Sequence, residues 1–327
     1  MNPIIAPIDK QLLQMELKKA VFMKPTNKGD NELYIVSEQT TPNIMQEIGR
    51  LREISFRLAG GGTGEAVDID NFDICETPYQ QLIVWNPKDS EILGGYRYIV
   101  SPPSIQDLAT SELFNFSPKF VTDYLPHTIE LGRSFVQPNY QNSRNNTKSL
   151  FALDNLWDGL GGLMYAYPEI KYFLGKVTMY TSYNKDARNM LHYFLQKYFP
   201  DKEQLITPIH SLELNIDVQK MQLLFTGNSY KEDYKILSRE VRALGENIPP
   251  LINSYMNLSP SMKTFGCAIN HEFGGVEETG ILITINEVYP AKKERHIYGH
   301  IPNKLNIRNL FRKPQRKELH NNVTITT

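Results

Sequence analysis

The chain has 327 residues but only two cysteines, Cys75 and Cys267. Two thiols so far apart build no disulfide framework and have no zinc spacing, which suits a reducing compartment. No apolar run approaches the roughly 18 residues that a membrane span needs. The N-terminus carries Asp9, Lys10, Glu16, Lys18 and Lys19 where a signal peptide would have its apolar core. The expectation is a cytoplasmic protein. Charge of one sign is also missing: 35 Lys and Arg face 36 Asp and Glu, a net charge of −1. A whole-protein nucleic-acid binder would be far more basic, so no nucleic-acid partner is expected. Several motifs are absent too. The Gly60 to Gly64 stretch follows a helical pattern and lacks Gly-Lys-Ser/Thr, so it reads as a mobile loop and not a phosphate cradle. No Gly-x-Ser-x-Gly supplies a hydrolase nucleophile. His296-x-x-x-His300 has no third ligand near it, and no metal is expected.

Apolar residues make up 41% and charged residues 22% of the chain, the balance of a globular protein with a sizeable core. Thr41-Pro42 suits a helix start, with Thr as N-cap and Pro at the first helical position. Ile44, Ile48, Leu51, Ser55 and Leu58 then recur at helical spacing to about Leu58. Residues 80–85 and 92–100 read as an antiparallel pair across the turn residues 86–90. Residues 128–136 read as a strand interrupted by Gly132. A leucine-rich helix follows at about 148–167, then a strand at 177–183 and a helix at 186–198. Residues 200–245 read as a helical, partly polar insertion. Pro249-Pro250 starts a short helix, and strands follow at 265–270 and 281–288. The order predicts a mixed α/β fold around one sheet.

The segment Glu130-Leu131-Gly132-Arg133-Ser134 is the informative one. Glu and Arg inside an apolar strand cost energy unless each is paired, which favours a polar site within the sheet. Strict alternation puts Glu130, Gly132 and Ser134 on one face, with Leu131 and Arg133 on the other. A carboxylate held there suits a general base. Ser134 has no visible His partner and is either structural or a proton relay.

Arg52-x-x-x-Phe56, Asp70-x-x-Asp73, Gly94-Gly95-Tyr96-Arg97 and Glu130-Leu131-Gly132-Arg133, in this order, resemble the acyl-homoserine-lactone synthases. The pattern is closer to their relatives, the ornithine/glycine-lipid N-acyltransferases often labelled hemolysin-like. That similarity spans residues 44 to about 288. It includes Glu-Leu-Gly-Arg-Ser-Phe-Val-x-Pro-x-Tyr at 130–140 and Trp157-Asp158-Gly159-Leu160. It implies the GNAT N-acyltransferase fold, an acyl-carrier protein or CoA thioester as donor, an amino-acid amine as acceptor and no permanently bound cofactor. It places Glu130 by the amine as base, with Arg133 and Ser134 beside it. It assigns Arg52, Phe56, Asp70, Asp73 and Arg97 to substrate binding or to bracing one another. It also implies splayed strands that admit the pantetheine arm, with Val136, Arg144, Asn145 and Asn146 contacting it. The loop at 141–146 has no glycine, whereas a helix N-terminus that cradles a CoA diphosphate usually has several. The single phosphate of a carrier-bound arm suits it better.

Between Lys292 and Glu318 stand nine basic residues and two acidic ones. The interleaved Leu305, Ile307, Leu310 and Phe311 suggest a surface segment drawn to anionic lipid or an acidic carrier. The resulting division is an N-terminal extension at 1–40, an acyltransferase domain at 41–290 and a basic tail at 291–327.

Overall fold

A computed structural model describes residues 1–141 and 149–298. The elements in chain order begin with α1 (Lys10–Leu17), β1 (Val21–Pro25), β2 (Glu32–Val36), α2 (Pro42–Ala59) and α3 (Asn71–Ile74). Then come β3 (Gln80–Asn86), β4 (Glu91–Val100), β5 (Phe114–Phe116), β6 (Thr128–Val136) and α4 (Ser149–Ala166). The second half holds β7 (Tyr172–Met179), α5 (Lys185–Tyr198), β8 (Ile206–Pro208), α6 (Val218–Leu224) and α7 (Tyr230–Ala243). It closes with α8 (Pro250–Met256), β9 (Lys263–Asn270), β10 (Val276–Thr284) and α9 (Pro290–Lys293).

Eight strands form one sheet in the order β1-β2-β3-β4-β6-β7-β10-β9. All neighbours are antiparallel except β6 and β7. The mixed α/β expectation is therefore met. β1 and β2 lie in the segment expected to be a mere extension, and both belong to the main sheet. β1 is an edge strand, which is where its Pro25 is tolerated. β7 begins at Tyr172, earlier than expected, because Gly175 and Lys176 interrupt its apolar run. The stretch at 200–245 contains β8 as well as two helices.

The sheet is buried on both faces. On one face α2 packs Ile44, Ile48 and Leu51 against Ile83, Trp85 and Phe135. On the other, α4 packs Leu156, Leu160 and Leu163 against Leu33, Leu82, Tyr96 and Ile129. The expected N-cap of α2 is not made by Thr41, whose hydroxyl donates to the Ser37 carbonyl at 2.9 Å. Glu16 of α1 caps the helix instead, accepting from the Ile44 N–H at 3.0 Å. The glycine-rich loop after α2 is pinned and not loose. Glu53, fully buried, accepts from the Thr63 N–H at 3.1 Å and the Gly64 N–H at 2.8 Å.

Asp158 fastens α4. It accepts from the Asn27 backbone at 2.9 Å and bonds His296 Nδ1 at 3.0 Å. The first residues of the basic segment thus dock on α4, with Arg295 2.7 Å from Asp154. Residues 299–327 lie outside the described residues. Among the described residues no helix is long and apolar enough to cross a membrane.

Gly94 and Gly95 are required by close approach. A Cβ on Gly94 would sit 2.4 Å from the Phe135 carbonyl oxygen, and one on Gly95 2.6 Å from that of Leu82. Both obstacles are backbone, so they cannot swing aside. Gly94→Ala should cost about 1–3 kcal/mol, read as a lower urea midpoint at unchanged slope.

Candidate active site

The parallel pairing of β6 with β7 lasts only from Thr128 with Tyr172 to Leu131 with Gly175. Beyond that point β6 runs on to Val136 and β7 to Met179 without further pairs. A cavity of about 380 Å³ occupies the divergence and is lined from both faces of the sheet.

Strand register assigns the two ends. Glu130 is opposite Leu174, and Thr178 is opposite Glu278, so Glu130, Lys176, Thr178 and Glu278 share the α2 face. Phe56 joins them from α2, packed edge-on against Phe273 with centroids 5.0 Å apart. The other face supplies Tyr96, Leu131, Leu153, Leu156 and Trp157, together with Leu251 and Tyr255 around α8. One end of the cavity is polar and the other apolar.

Arg133 does not follow the expected alternation. Its φ is +51°, in the left-handed region, and the β4–β6 register slips between Gly95 and Arg97. Two residues of β6 oppose one of β4 there, which is a β-bulge. The bulge turns Arg133 to the face of Arg97, where its Nε lies 3.0 Å from Asp68 and its Nη2 3.4 Å from Asp70. Arg97 reaches Asp70 at 2.6 Å and Asp73 at 3.2 Å. Arg52, fully buried, pairs with Asp73 at 3.1 Å and donates to Gln81. Asp70 also caps α3, accepting from the Phe72 N–H at 3.0 Å.

The expected arginines and aspartates therefore come together as one network, which Asp68, from the same acidic stretch as Asp70 and Asp73, completes. Of these, only Arg97 and Arg133 line the cavity; Arg52 and Asp73 brace from behind. Burial pushes the Asp73 carboxyl up, but the Arg52 and Arg97 guanidiniums outweigh it and hold the group down at about 2. Burial pushes Asp68 up despite its arginine neighbours.

Glu130 lines the cavity but is 2% exposed and already well bonded. One oxygen accepts from the Thr110 N–H at 2.8 Å and from the Thr110 hydroxyl. The other accepts from the Tyr79 hydroxyl. Burial and the Glu130 charge push the Tyr79 phenol well above its ordinary value, so it stays a donor. Tyr79 in turn accepts from the Ala109 N–H at 2.9 Å. Glu130, expected from the sequence to suit a general base, is a buried carboxylate that fixes the 109–110 turn. Ser134 is exposed at the cavity wall, and Val136 lines it. Arg144, Asn145 and Asn146 lie outside the described residues.

Residues 51–150 match the family described as "Acetyltransferase (GNAT) domain". A glycine N(alpha)-acyltransferase of Phocaeicola vulgatus is 56% identical over 303 residues, covering 91% of this chain and 93% of that protein. The glycine N(alpha)-acyltransferase of Bacteroides thetaiotaomicron is 55% identical over 303 residues, covering 91% and 90%. This chain belongs to the glycine N(alpha)-acyltransferase family. It is an acyltransferase with a GNAT domain. Among solved structures, the acyl-homoserine-lactone synthase LasI matches with a TM-score of 0.38 and 11% identity, over 85% of this chain and 99% of that one. The CoA-dependent acyl-homoserine lactone synthase MesI matches with a TM-score of 0.34 and 12% identity, over 81% and 95%. At those scores the likeness decides nothing about the site.

For a member of this family, the residues that sequence reasoning missed are Lys176, Thr178, Tyr180 and Glu278 in the cavity, and Tyr79 and Thr110 around it. The signal that picked out Glu130, charge inside an apolar strand, was equally present at Lys176 and Glu278.

Two outcomes follow from the buried groups. Glu130→Gln puts an amide N–H₂ where only donors point, so it should lose about 1.5–3 kcal/mol of stability, measured by urea denaturation. Asp73 titrates below its ordinary 3.8, at about 2. Its pairing therefore stabilises the fold above the ordinary value, and the contribution drains away as pH falls from about 4 toward 2. Asp73→Asn should be less stable at neutral pH and show a flatter stability curve across that acid window.

Proposed function

We propose that this chain moves a fatty acyl group from an acyl thioester to the amine of glycine, making an N-acylglycine, with acyl-carrier protein as the donor. The observation that carries the reading is the cavity in the β6–β7 divergence, polar at one end and apolar at the other. A thioester lying across the sheet at this point has its acyl chain among Leu131, Leu153, Leu156 and Trp157. Its carbonyl then faces the polar end, where the amine waits. The volume of about 380 Å³ is in the range of small-molecule sites, about 300–1,000 Å³. The choice of glycine is supported by the names of the two relatives.

In this reading Arg97 and Arg133 do not perform chemistry. Their aspartates neutralise them and fix the wall of the cavity. Glu130 holds Tyr79 and Thr110 beside the reacting carbonyl. The pantetheine arm passes Val136 at the cavity wall. The glycine-free loop at 141–146 supports a carrier-bound donor, which presents one phosphate where CoA presents a diphosphate. The basic residues after Lys292 suit an acidic carrier protein or an anionic membrane surface, approached electrostatically. Products of this kind are amphiphiles, which agrees with a place in aminolipid synthesis.

The test is a purified reaction of glycine with acyl-carrier protein and CoA thioesters of matched chain length. N-acylglycine and free thiol should appear in equal amounts by mass spectrometry and thiol titration, with the higher kcat/KM for the carrier thioester. Equal kcat/KM for the two donors would overturn the carrier assignment. Acetyl-CoA as the best donor, or thiol release that does not depend on glycine, would overturn the reading itself.

A further inference from the structure

The polar end of the cavity holds an ion pair, its carboxylate buried and its ammonium partly so, that has no part in the arginine–aspartate network. Lys176 and Glu278 project from the same face of adjacent strands, with the Lys176 Nζ 3.4 Å from the Glu278 Oε2. Lys176 also donates to the Ala109 carbonyl at 3.0 Å. Glu278 is 3% exposed; its Oε1 accepts from the Asn270 amide at 3.2 Å, and its Oε2 accepts no hydrogen bond. A buried carboxylate oxygen with a long ion-pair contact but no hydrogen bond is under-satisfied and calls for an explanation.

An ammonium group carries three donors; Lys176 spends one on the Ala109 carbonyl and faces Glu278 through the 3.4 Å ion-pair contact alone. The other cations lining the cavity are Arg97 and Arg133, each held by two aspartates. Among the described residues lining this cavity, Lys176 is thus the cation with capacity to spare, and Glu278 the carboxylate with an open oxygen. A carboxylate and an ammonium side by side complement an α-amino acid zwitterion, whose own opposite charges are separated by a single carbon.

We propose that Lys176 and Glu278 form the acceptor subsite: Lys176 Nζ takes the carboxylate of glycine, and Glu278 Oε2 takes its ammonium and then one of its protons. The proposal rests on the glycine-acylation reading and names where that substrate sits. Glu130 is the poorer proton acceptor because three donors already occupy its oxygens. The steps balance. Glycine enters as the zwitterion, and Glu278 removes one ammonium proton. The freed nitrogen lone pair attacks the thioester carbonyl, a C–N bond forms and the C–S bond breaks. The departing thiolate takes the proton held by Glu278, and the nitrogen releases a second proton to solvent. The products are N-acylglycine, thiol and one proton.

The experiment compares wild type, Lys176→Met and Glu278→Gln with glycine and with glycinamide, which has the amine but no carboxylate. Lys176→Met should raise KM for glycine by about 10- to 100-fold, the loss of one charge-assisted hydrogen bond. It should leave KM for the acyl donor unchanged and abolish the preference for glycine over glycinamide. Glu278→Gln should lower kcat by about 10² to 10⁴, the usual cost of losing a general base. Thermal melting and donor binding confirm that each variant is folded. Should either fail to fold, Lys176→Arg and Glu278→Asp keep the pair but move its charges. These must shift KM for glycine at least severalfold with the donor KM constant. The subsite is wrong if wild type acylates glycine and the folded variants do so with unchanged KM, kcat and discrimination. It is also wrong if both acceptors and the donor suffer equally, which marks a structural pair. A wild type that acylates no amino acid at all overturns the functional reading before any variant is made.

Discussion

Everything that matters at this site depends on how briefly β6 and β7 stay paired. Four residues of each strand are held in parallel register, and the strands then part. The bulge on β6 begins just past the last pair, with Arg133 in the left-handed region. A bulge bends its strand and adds local twist, so it carries the end of β6 away from β7. The result is an opening through an otherwise continuous sheet. A single gap can serve an acyl chain on one face and a small polar acceptor on the other because the strand faces alternate.

An opening in a sheet must be held open by something rigid. Three arginines and three aspartates do this, tying α2, the 68–73 segment, β4 and β6 together. Taking such charges out of water is expensive, and apolar packing of equal volume would often be at least as stable. Their use here lies in geometry. Asp70 grips both Arg97 and Arg133, so the bulged strand and its neighbour cannot slide independently. Removing one member would leave an uncompensated buried charge, which typically costs about 3–5 kcal/mol. Tyr79, Glu130, Thr110, Ala109 and Lys176 make a second chain of contacts, so the polar end of the cavity is fixed as firmly as the wall.

The sequence was most legible where periodicity was long and unmixed. The α2 and α4 helices, the strand pair at 80–100 and the strand at 128–136 all stand close to where the pattern put them. β1 and β2 were not seen. Each is five residues long; β1 ends in Lys24-Pro25 and β2 is a short apolar run behind Glu32, so neither shows a clean alternation. The residues of the arginine–aspartate network were legible as motifs, yet the face of Arg133 was not. Gly132 inside the strand signalled a bulge or a close approach, but nothing in Gly132-Arg133-Ser134 states that Arg133, and not the glycine, takes the positive φ that inverts the alternation. Lys176 and Glu278 were missed for a different reason. They come from strands a hundred residues apart, and only the sheet order brings them together.

The central claim is that the donor thioester lies between β6 and β7. A crystal structure with a non-cleavable thioether analogue of acyl-pantetheine tests it directly. Density for the arm is expected between residues 132–136 and 176–180. The alkyl chain should run toward Trp157 and Tyr255, and the carbonyl should face Lys176 and Glu278. An analogue bound elsewhere, with β6 and β7 closed against each other, would contradict it.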